Sequence, residues 1–146
     1  MTGQDPRRKK LQALLGREGF SSYMNDTRWM RLIEELRSLG LPLRYRIKLL
    51  TDADASEWGM WFAQDPEPYI ELEGFGPVLA LEVEWLEIDA TGPWKSSSPD
   101  WIPPDPIDYS VEIALLLEEL RVPSSQDGTL FRVTGHLRRT EAAKST

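Results

Sequence analysis

The chain has 146 residues, a length that suits one domain, and its hydrophobic content of 40% is enough to form a buried core. It contains no cysteine and one histidine, His136, which excludes a disulfide framework, a cysteine-ligated metal and any multi-histidine site within one chain. The net charge of −7 argues against a free-standing nucleic-acid-binding protein, because phosphate binding needs excess lysine and arginine. No stretch approaches the roughly 20 apolar residues of a membrane span.

The N-terminal segment differs in character from the rest of the chain. Four cations at 7–10 precede a short apolar run at 11–15, which is interrupted by Gln12. A secretory signal needs about 7–15 apolar residues, so this run is too short to be one. We expect residues 1–23 to form a mobile or partly helical extension, residues 24–138 to form a single domain, and residues 139–146 to be a frayed tail.

The first strong helix signal begins after Asn25 and Asp26, either of which is a good N-cap. Apolar side chains then recur at helical spacing, and Trp29 is predicted to be a core residue. Gly40 and Pro42 end this helix. Residues 43–49 alternate strictly between apolar and basic side chains, which predicts a half-buried strand.

The middle of the chain favours further strands. Residues 58–63 are aromatic and predict a strand, and residues 69–73 alternate again before the turn-forming residues at 74–77. Residues 78–89 are the longest strand candidate, and Trp85 is predicted to be a core residue on its apolar face. The apolar phase flips after Trp85, which indicates either a bulge or a strand buried on both faces.

The last third contains a proline-rich loop at 90–107, a helix at about 109–121 capped by Asp108, and a final strand at 130–137. The predicted order is therefore α-β-β-β-β-α-β. Two helices packed on one face of a mainly antiparallel sheet of four to five strands, an α+β domain, follow most simply from this order.

Charge is distributed unevenly along the chain. Residues 65–112 carry 12 acidic side chains and one basic side chain, whereas residues 1–50 are basic overall. The acids either solvate one sheet face and pair with the basic first third, or form a docking surface for a basic partner. For the docking hypothesis, loop tryptophans serve as anchors. The candidate partner-binding residues are Glu71, Glu73, Glu82, Glu84, Glu87, Asp89, Trp94 and Trp101.

Tests for catalytic and metal motifs fail. The segment starting at Asp52 resembles a Ca²⁺-binding EF-hand loop, but Glu57 and Ala63 occupy the two most demanding positions. His136 has no nucleophile motif elsewhere in the chain. We therefore expect no catalytic residue, metal or cofactor. An aromatic-lined pocket behind Trp58, Trp61 and Tyr69 remains an alternative kind of site.

Three segments resemble a family of small, uncharacterised bacterial proteins that typically begin Met-Asn-x-Thr-Lys-Trp and continue into a helix. The similar segments here are the opening from Met24 to Trp29, the basic strand 45–48, and the closing residues 131–138. Arg28 and His136 depart from the family's usual residues. The resemblance implies a bacterial, cytoplasmic protein, and small acidic proteins of this type are similar in character to immunity proteins of toxin systems.

The leading hypothesis is a non-enzymatic acidic binding protein, an immunity protein that neutralises a bacterial toxin by blocking a basic cleft. The expected partner is a protein with a basic surface, and no membrane or direct nucleic-acid contact is expected. One alternative is a small enzyme or ligand-binding protein that uses the aromatic pocket. Another is a regulatory subunit whose basic residues 7–10 touch nucleic acid.

Overall fold

The computed structural model describes residues 6–93 and 105–138. Within these ranges the chain forms an α+β fold with mainly antiparallel sheets, which confirms the predicted class. The helices are α1 (Pro6–Arg17), α2 (Asp26–Leu39) and α3 (Ser110–Leu120). The strands are β1 (Phe20–Ser22), β2 (Arg44–Leu49), β3 (Tyr69–Leu72), β4 (Phe75–Leu79), β5 (Val83–Asp89), β6 (Thr91–Gly92), β7 (Ile107–Asp108), β8 (Ser124–Asp127), β9 (Leu130–Thr134) and β10 (His136–Arg138), with a 3₁₀ turn at Ala80–Glu82.

The centre of the fold is a four-stranded antiparallel sheet in the order β2-β5-β9-β8. Three two-stranded pairs surround it, formed by β1 with β10, β3 with β4, and β6 with β7. The last of these pairs flanks part of the predicted proline-rich loop, whose residues 94–104 lie outside the described residues. The single sheet of four to five strands expected from the sequence is thus one four-stranded sheet with three satellite pairs.

One face of the central sheet carries the hydrophobic core, and α2 and α3 both cover that face. Cross-strand partners such as Tyr45, Ile88 and Phe131 place apolar side chains on the same side of β2, β5 and β9. Trp29 of α2 is 1% exposed in this core, as predicted, and Ile113 of α3 is also buried. The opposite face of the sheet is lined by charged and aromatic side chains.

Helix α2 begins and ends where its sequence indicates. The side chain of Asn25 accepts a hydrogen bond from the Arg28 N–H at 2.8 Å, so it satisfies one of the unpaired donors of the first turn. Gly40 ends the helix in the left-handed conformation, with φ of 60°, which favours glycine.

The predicted long strand at 78–89 is interrupted. β4 ends at Leu79, the 3₁₀ turn follows, and β5 begins at Val83 opposite a register irregularity in β2. Beyond this irregularity Leu86 and Ile88 face the core, so Trp85 projects from the opposite face and is only half-buried. The prediction that Trp85 is a core residue is wrong, because a one-residue shift in phase transfers a side chain to the other face of a sheet.

Two other predicted strands are also altered. Residues 58–63 form only isolated bridges, from Gly59 to Tyr45 and from Phe62 to Leu72. The predicted strand 130–137 is divided at Gly135, where an added Cβ would lie 2.3 Å from the Val83 carbonyl oxygen. This close approach lets the chain leave β9 and pair as β10 with β1.

Residues 6–22 pack against the rest of the fold. In α1, Leu11 and Leu15 are buried, and β1 pairs with β10 in the register Ser22 to His136. Ion pairs join Arg7 to Glu82 at 2.5 Å and Arg8 to Asp26 at 2.8 Å. The expected extension is partly helical, but this helix packs against the rest of the fold. The folded body therefore extends back to residue 6. The predicted tail, 139–146, lies outside the described residues.

Candidate partner-binding surface

The acidic residues of β5 are paired with cations on the neighbouring strands. Glu87 is 2% exposed, and its carboxylate accepts hydrogen bonds from Arg46 Nε at 2.6 Å and from Arg132 at 2.8 Å. Asp89 accepts from Arg44 Nε at 3.0 Å in the same manner. These carboxylates are therefore neutralised within the sheet, since each faces a guanidinium across the strand ladder.

Glu82 and Glu84 are also engaged internally. Glu82 is 1% exposed, accepts a hydrogen bond from the Leu79 N–H at 3.0 Å and pairs with Arg7 of α1. Glu84 pairs with the Lys48 amine at 3.0 Å. The four predicted docking carboxylates from 82 to 89 thus provide little of the exposed negative field that a docking surface requires.

The two remaining predicted carboxylates lie elsewhere, at the β3–β4 hairpin. Glu73 is exposed and accepts a hydrogen bond from the Met60 N–H at 2.9 Å. Partial desolvation raises the pKa of Glu71, and the hydrogen bond and negative charge of Asp65 raise it further. The structure therefore separates these residues from the β5 group, and the predicted anchors Trp94 and Trp101 lie outside the described residues.

The polar face of the central sheet contains an arginine–tryptophan stack that the sequence analysis missed. Trp58 lies between Arg44 and Arg46, with guanidinium carbons 4.4 Å and 4.6 Å from the ring centroid. Arg132 covers Trp85 at 4.1 Å. These cation–π contacts, together with the carboxylate pairs, hold this uncovered face together. The alternation of basic residues in β2 could have indicated the arginine side of this stack. No local pattern could have placed Trp58 beside those arginines.

Helix α3 exposes an apolar stripe to solvent. Val111 and Leu115 are 69% and 61% exposed, and because they are four residues apart they lie on one helix face. The carboxylate side chains of Glu112, Glu118 and Glu119 are exposed beside them. We call these five residues, together with the 52% exposed Ile107 of β7, the α3 surface.

This surface was not predicted, although the sequence carried a signal for it. The α3 segment is apolar on more than one side, whereas a helix covering a core needs only one apolar stripe. A cavity of about 610 Å³ borders the helix and is lined in part by Tyr23, Ala114, Glu118 and Phe131. Just before the helix, Asp108 accepts a hydrogen bond from the Ser110 N–H at 2.8 Å, and the side chain and then the N–H of Ser110 lower the pKa of the Asp108 carboxyl.

The three residues of the expected aromatic pocket have different surroundings. Trp58 belongs to the arginine–tryptophan stack, whereas Trp61 is 52% exposed and Tyr69 is 38% exposed. Trp61 lines a cavity of about 330 Å³ whose wall includes Tyr45 and Phe62. Burial raises the pKa of Tyr45 to about 12, so its hydroxyl stays protonated at neutral pH.

His136 is buried between two hydrogen-bonding partners. Its Nε2 lies 2.8 Å from the Leu81 carbonyl oxygen, which can only accept, so Nε2 carries the hydrogen. Its Nδ1 then accepts from the Ser22 hydroxyl at 2.7 Å. Burial lowers the pKa of His136, against the opposing effects of the Leu81 hydrogen bond and the Glu84 charge. The contact joins β10 to β1 and to the 3₁₀ turn.

No cluster of histidine, cysteine, aspartate or glutamate side chains in 6–93 and 105–138 has the arrangement of a metal site. None of the helices in those ranges has the length and apolar character needed to cross a bilayer.

Comparison with known proteins identifies the family. The sequence profile of a family of unknown function, DUF6678, matches residues 11–140, and the chain belongs to this family. The matched region starts within α1, so it includes part of the N-terminal segment that docks on the fold. No curated protein and no solved structure gave a match.

Proposed function

We propose that the protein is a non-enzymatic acidic binding protein that docks on the basic surface of a partner protein. In its particular form, the proposal is that it acts in the bacterial cytoplasm as an immunity protein that blocks the basic cleft of a toxin. One observation carries the proposal: the α3 surface exposes Val111 and Leu115 among three carboxylates, and α3 itself contains no cation.

The carboxylates and the apolar stripe have different effects on binding. The exposed Glu112, Glu118 and Glu119 would attract a basic surface and raise the rate of encounter. Val111 and Leu115 would lose contact with water in the complex and slow its dissociation. The neighbouring cavity is lined by Arg28 and Arg121 as well as by apolar side chains, so it suits an uncharged side chain of the partner.

The proposed surface differs from the one expected from the sequence. The carboxylates of β5 are paired with arginines and with Lys48, so they contribute little to steering, whereas those of α3 face solvent. The acidic-docking hypothesis is therefore retained with a different set of residues.

The first test uses growth rescue. The toxin candidate is the product of a gene adjacent to this one in the native host, and it is expressed with and without the chain. We expect the chain to restore growth, and Glu112→Lys with Glu119→Lys to abolish the rescue. A matched control, Glu34→Lys with Glu57→Lys, makes the same charge change at two other exposed glutamates and should preserve it.

Binding kinetics with the purified toxin then separate the two effects. The double charge reversal on α3 should lower the association rate about tenfold or more, and Val111→Ser with Leu115→Ser should raise the dissociation rate about tenfold or more. A toxin whose affinity is unchanged by both pairs of changes would remove the α3 surface from the proposal.

The Trp61 cavity favours a second candidate function, a small-molecule-binding protein. The ring of Trp61 is half exposed beside the cavity, and Arg37 supplies a polar group at its wall. Binding of a small-molecule library, followed by nuclear magnetic resonance shifts of the Trp61 indole, tests this candidate. The same ligand is then added to the Trp61→Ala variant. Shifts at other residues that line the cavity, without shifts at α3 residues, would support this candidate.

A further inference from the structure

We propose that the α3 surface also binds a second copy of this chain, through a groove on that copy's α1. The inference rests on the proposed function in that it uses the same docking surface, but it names a different occupant. It predicts that the chain self-associates when no other partner covers α3.

The two surfaces are complementary in shape. A cavity of about 320 Å³ lies beside α1 and is lined by Lys10, Leu11, Leu14 and Arg17 among others. The α3 surface, by contrast, presents protruding side chains, of which Leu115 is 61% exposed. An apolar side chain of α3 can therefore enter a groove that has leucines in its wall and cations at its rim.

They are also complementary in charge. Helix α1 contains five cations and no acidic residue, and three of the cations remain once Arg7 and Arg8 are paired with Glu82 and Asp26; α3 contains three carboxylates and no cation. Lys10 and Arg17 are exposed, as are Glu112 and Glu119. Two helices of opposite charge within one chain that is acidic overall provide attractive surfaces for a second copy.

The spacing of the side chains matches in antiparallel order. Along α1, Leu14 follows Lys10 by four residues and precedes Arg17 by three. Along α3 read backwards, Leu115 is four residues from Glu119 and three from Glu112. Antiparallel helices therefore pair Lys10 with Glu119, Leu14 with Leu115, and Arg17 with Glu112. Each charged pair is separated from the other by seven residues, about 10.5 Å along a helix axis.

The two surfaces belong to different parts of the fold, so each contact joins the α3 surface of one copy to the α1 groove of another. Two copies can form both contacts around a twofold axis, or the contact can continue from copy to copy. In either arrangement a basic partner protein and a second copy would compete for α3. Self-association would then cover the apolar stripe until the partner displaces it.

Sedimentation velocity of the full chain tests this inference, over concentrations from about 1 µM to about 500 µM. We expect concentration-dependent association. Lys10→Glu with Arg17→Glu should weaken it about tenfold or more, and Glu112→Lys with Glu119→Lys should do the same. Combining all four substitutions exchanges the charges, so association should return to within about threefold of the original.

The control variant is Lys9→Glu with Arg31→Glu, which reverses two exposed cations outside the α1 groove and should leave association unchanged. Circular dichroism of every variant verifies that it is folded. A chain that stays monomeric over the whole range would overturn the inference. Association that is unchanged by either double charge reversal would also overturn the inference. So would a variant with all four substitutions in which association is not restored.

This experiment needs no toxin, so its result is separable from that of the proposed function. If self-association fails while Glu112→Lys with Glu119→Lys still abolishes toxin binding, only the self-association is lost. If the four-substitution variant restores self-association while toxin affinity is unchanged by the α3 substitutions, only the proposed function is lost.

Discussion

Trp29 and Trp85 have the same side chain in two different environments. Trp29 lies on the buried face of α2 and is 1% exposed, and its indole nitrogen is buried without a hydrogen-bond partner in the described residues. Trp85 is half-buried on the opposite face of the sheet, beneath the Arg132 guanidinium. Because burial sets most of the free energy of an aromatic side chain, the two should respond differently to truncation.

We expect Trp29→Ala to lower the free energy of unfolding by about 3–5 kcal/mol, and Trp85→Ala by about 1–2 kcal/mol, mainly from lost cation–π and partial apolar contact. Urea unfolding followed by circular dichroism measures both. Equal losses for the two variants would contradict the assignment of Trp85 to the polar face.

His136 provides a pH-dependent contribution to stability. Its pKa is lowered in the folded protein, so the unfolded chain binds the proton more readily. The stabilisation is therefore fully present above the unfolded pKa of about 6.5 and is lost as the pH falls through the lowered folded value. We expect the urea concentration at the unfolding midpoint to decrease as the pH is lowered from about 7.5 to about 5.

The matched variant is His136→Gln, which keeps a donor for the Leu81 carbonyl but does not titrate. Its urea midpoint should change less than that of the original chain over the same pH range. If the two profiles run parallel, the pH dependence belongs to other groups.

At the level of elements, α1 and β1 determine where the folded body begins. Leu11 and Leu15 are buried, and β1 supplies the partner strand for β10. The apolar period of residues 1–23 is weak, which predicts that they lie outside the domain. Two buried leucines and a three-residue strand leave only a small signal in a sequence, yet this segment pairs with β10 and, through the Arg7–Glu82 ion pair, contacts the 3₁₀ turn.

Removal of residues 1–23 tests this boundary. We expect the chain 24–146 to melt more than about 5 °C below the full chain, a loss on the order of 1 kcal/mol or more for a domain of this size. Scanning calorimetry measures the difference. A smaller fall would show that the first 23 residues are a dispensable extension, as the sequence alone suggested.

At the level of the whole molecule, opposite charges are arranged by element. The cations of β2 and β9 neutralise the carboxylates of β5 on the polar sheet face, whereas the carboxylates of α3 and three cations of α1, Lys9, Lys10 and Arg17, are presented on the surface. A net charge of −7 therefore combines an internally paired region with two exposed helices of opposite sign. The proposed binding surfaces are these helices.

Charge reversal distinguishes the two kinds of region. Glu82→Lys with Glu84→Lys should lower the free energy of unfolding by about 3 kcal/mol or more. The double change removes the contacts of the buried Glu82 carboxylate and places a second positive charge beside Lys48. Glu112→Lys with Glu119→Lys should change it by less than about 1 kcal/mol. Chemical denaturation measures both, and a stable Glu82–Glu84 variant would show that those carboxylates are not structural.

Local patterns in the sequence were enough to predict the fold class, a helix capped at Asn25 or Asp26, the burial of Trp29 and a strand at 43–49, because each depends on local capping or on a regular apolar period. Which acidic residues face solvent is set by the tertiary structure. Glu87 and Glu112 are equivalent in a charge count, but Glu87 lies between two arginines brought together by strand pairing, and Glu112 lies on the solvent-exposed side of α3. That distinction depends on contacts between residues distant in the chain, and no local pattern encodes them.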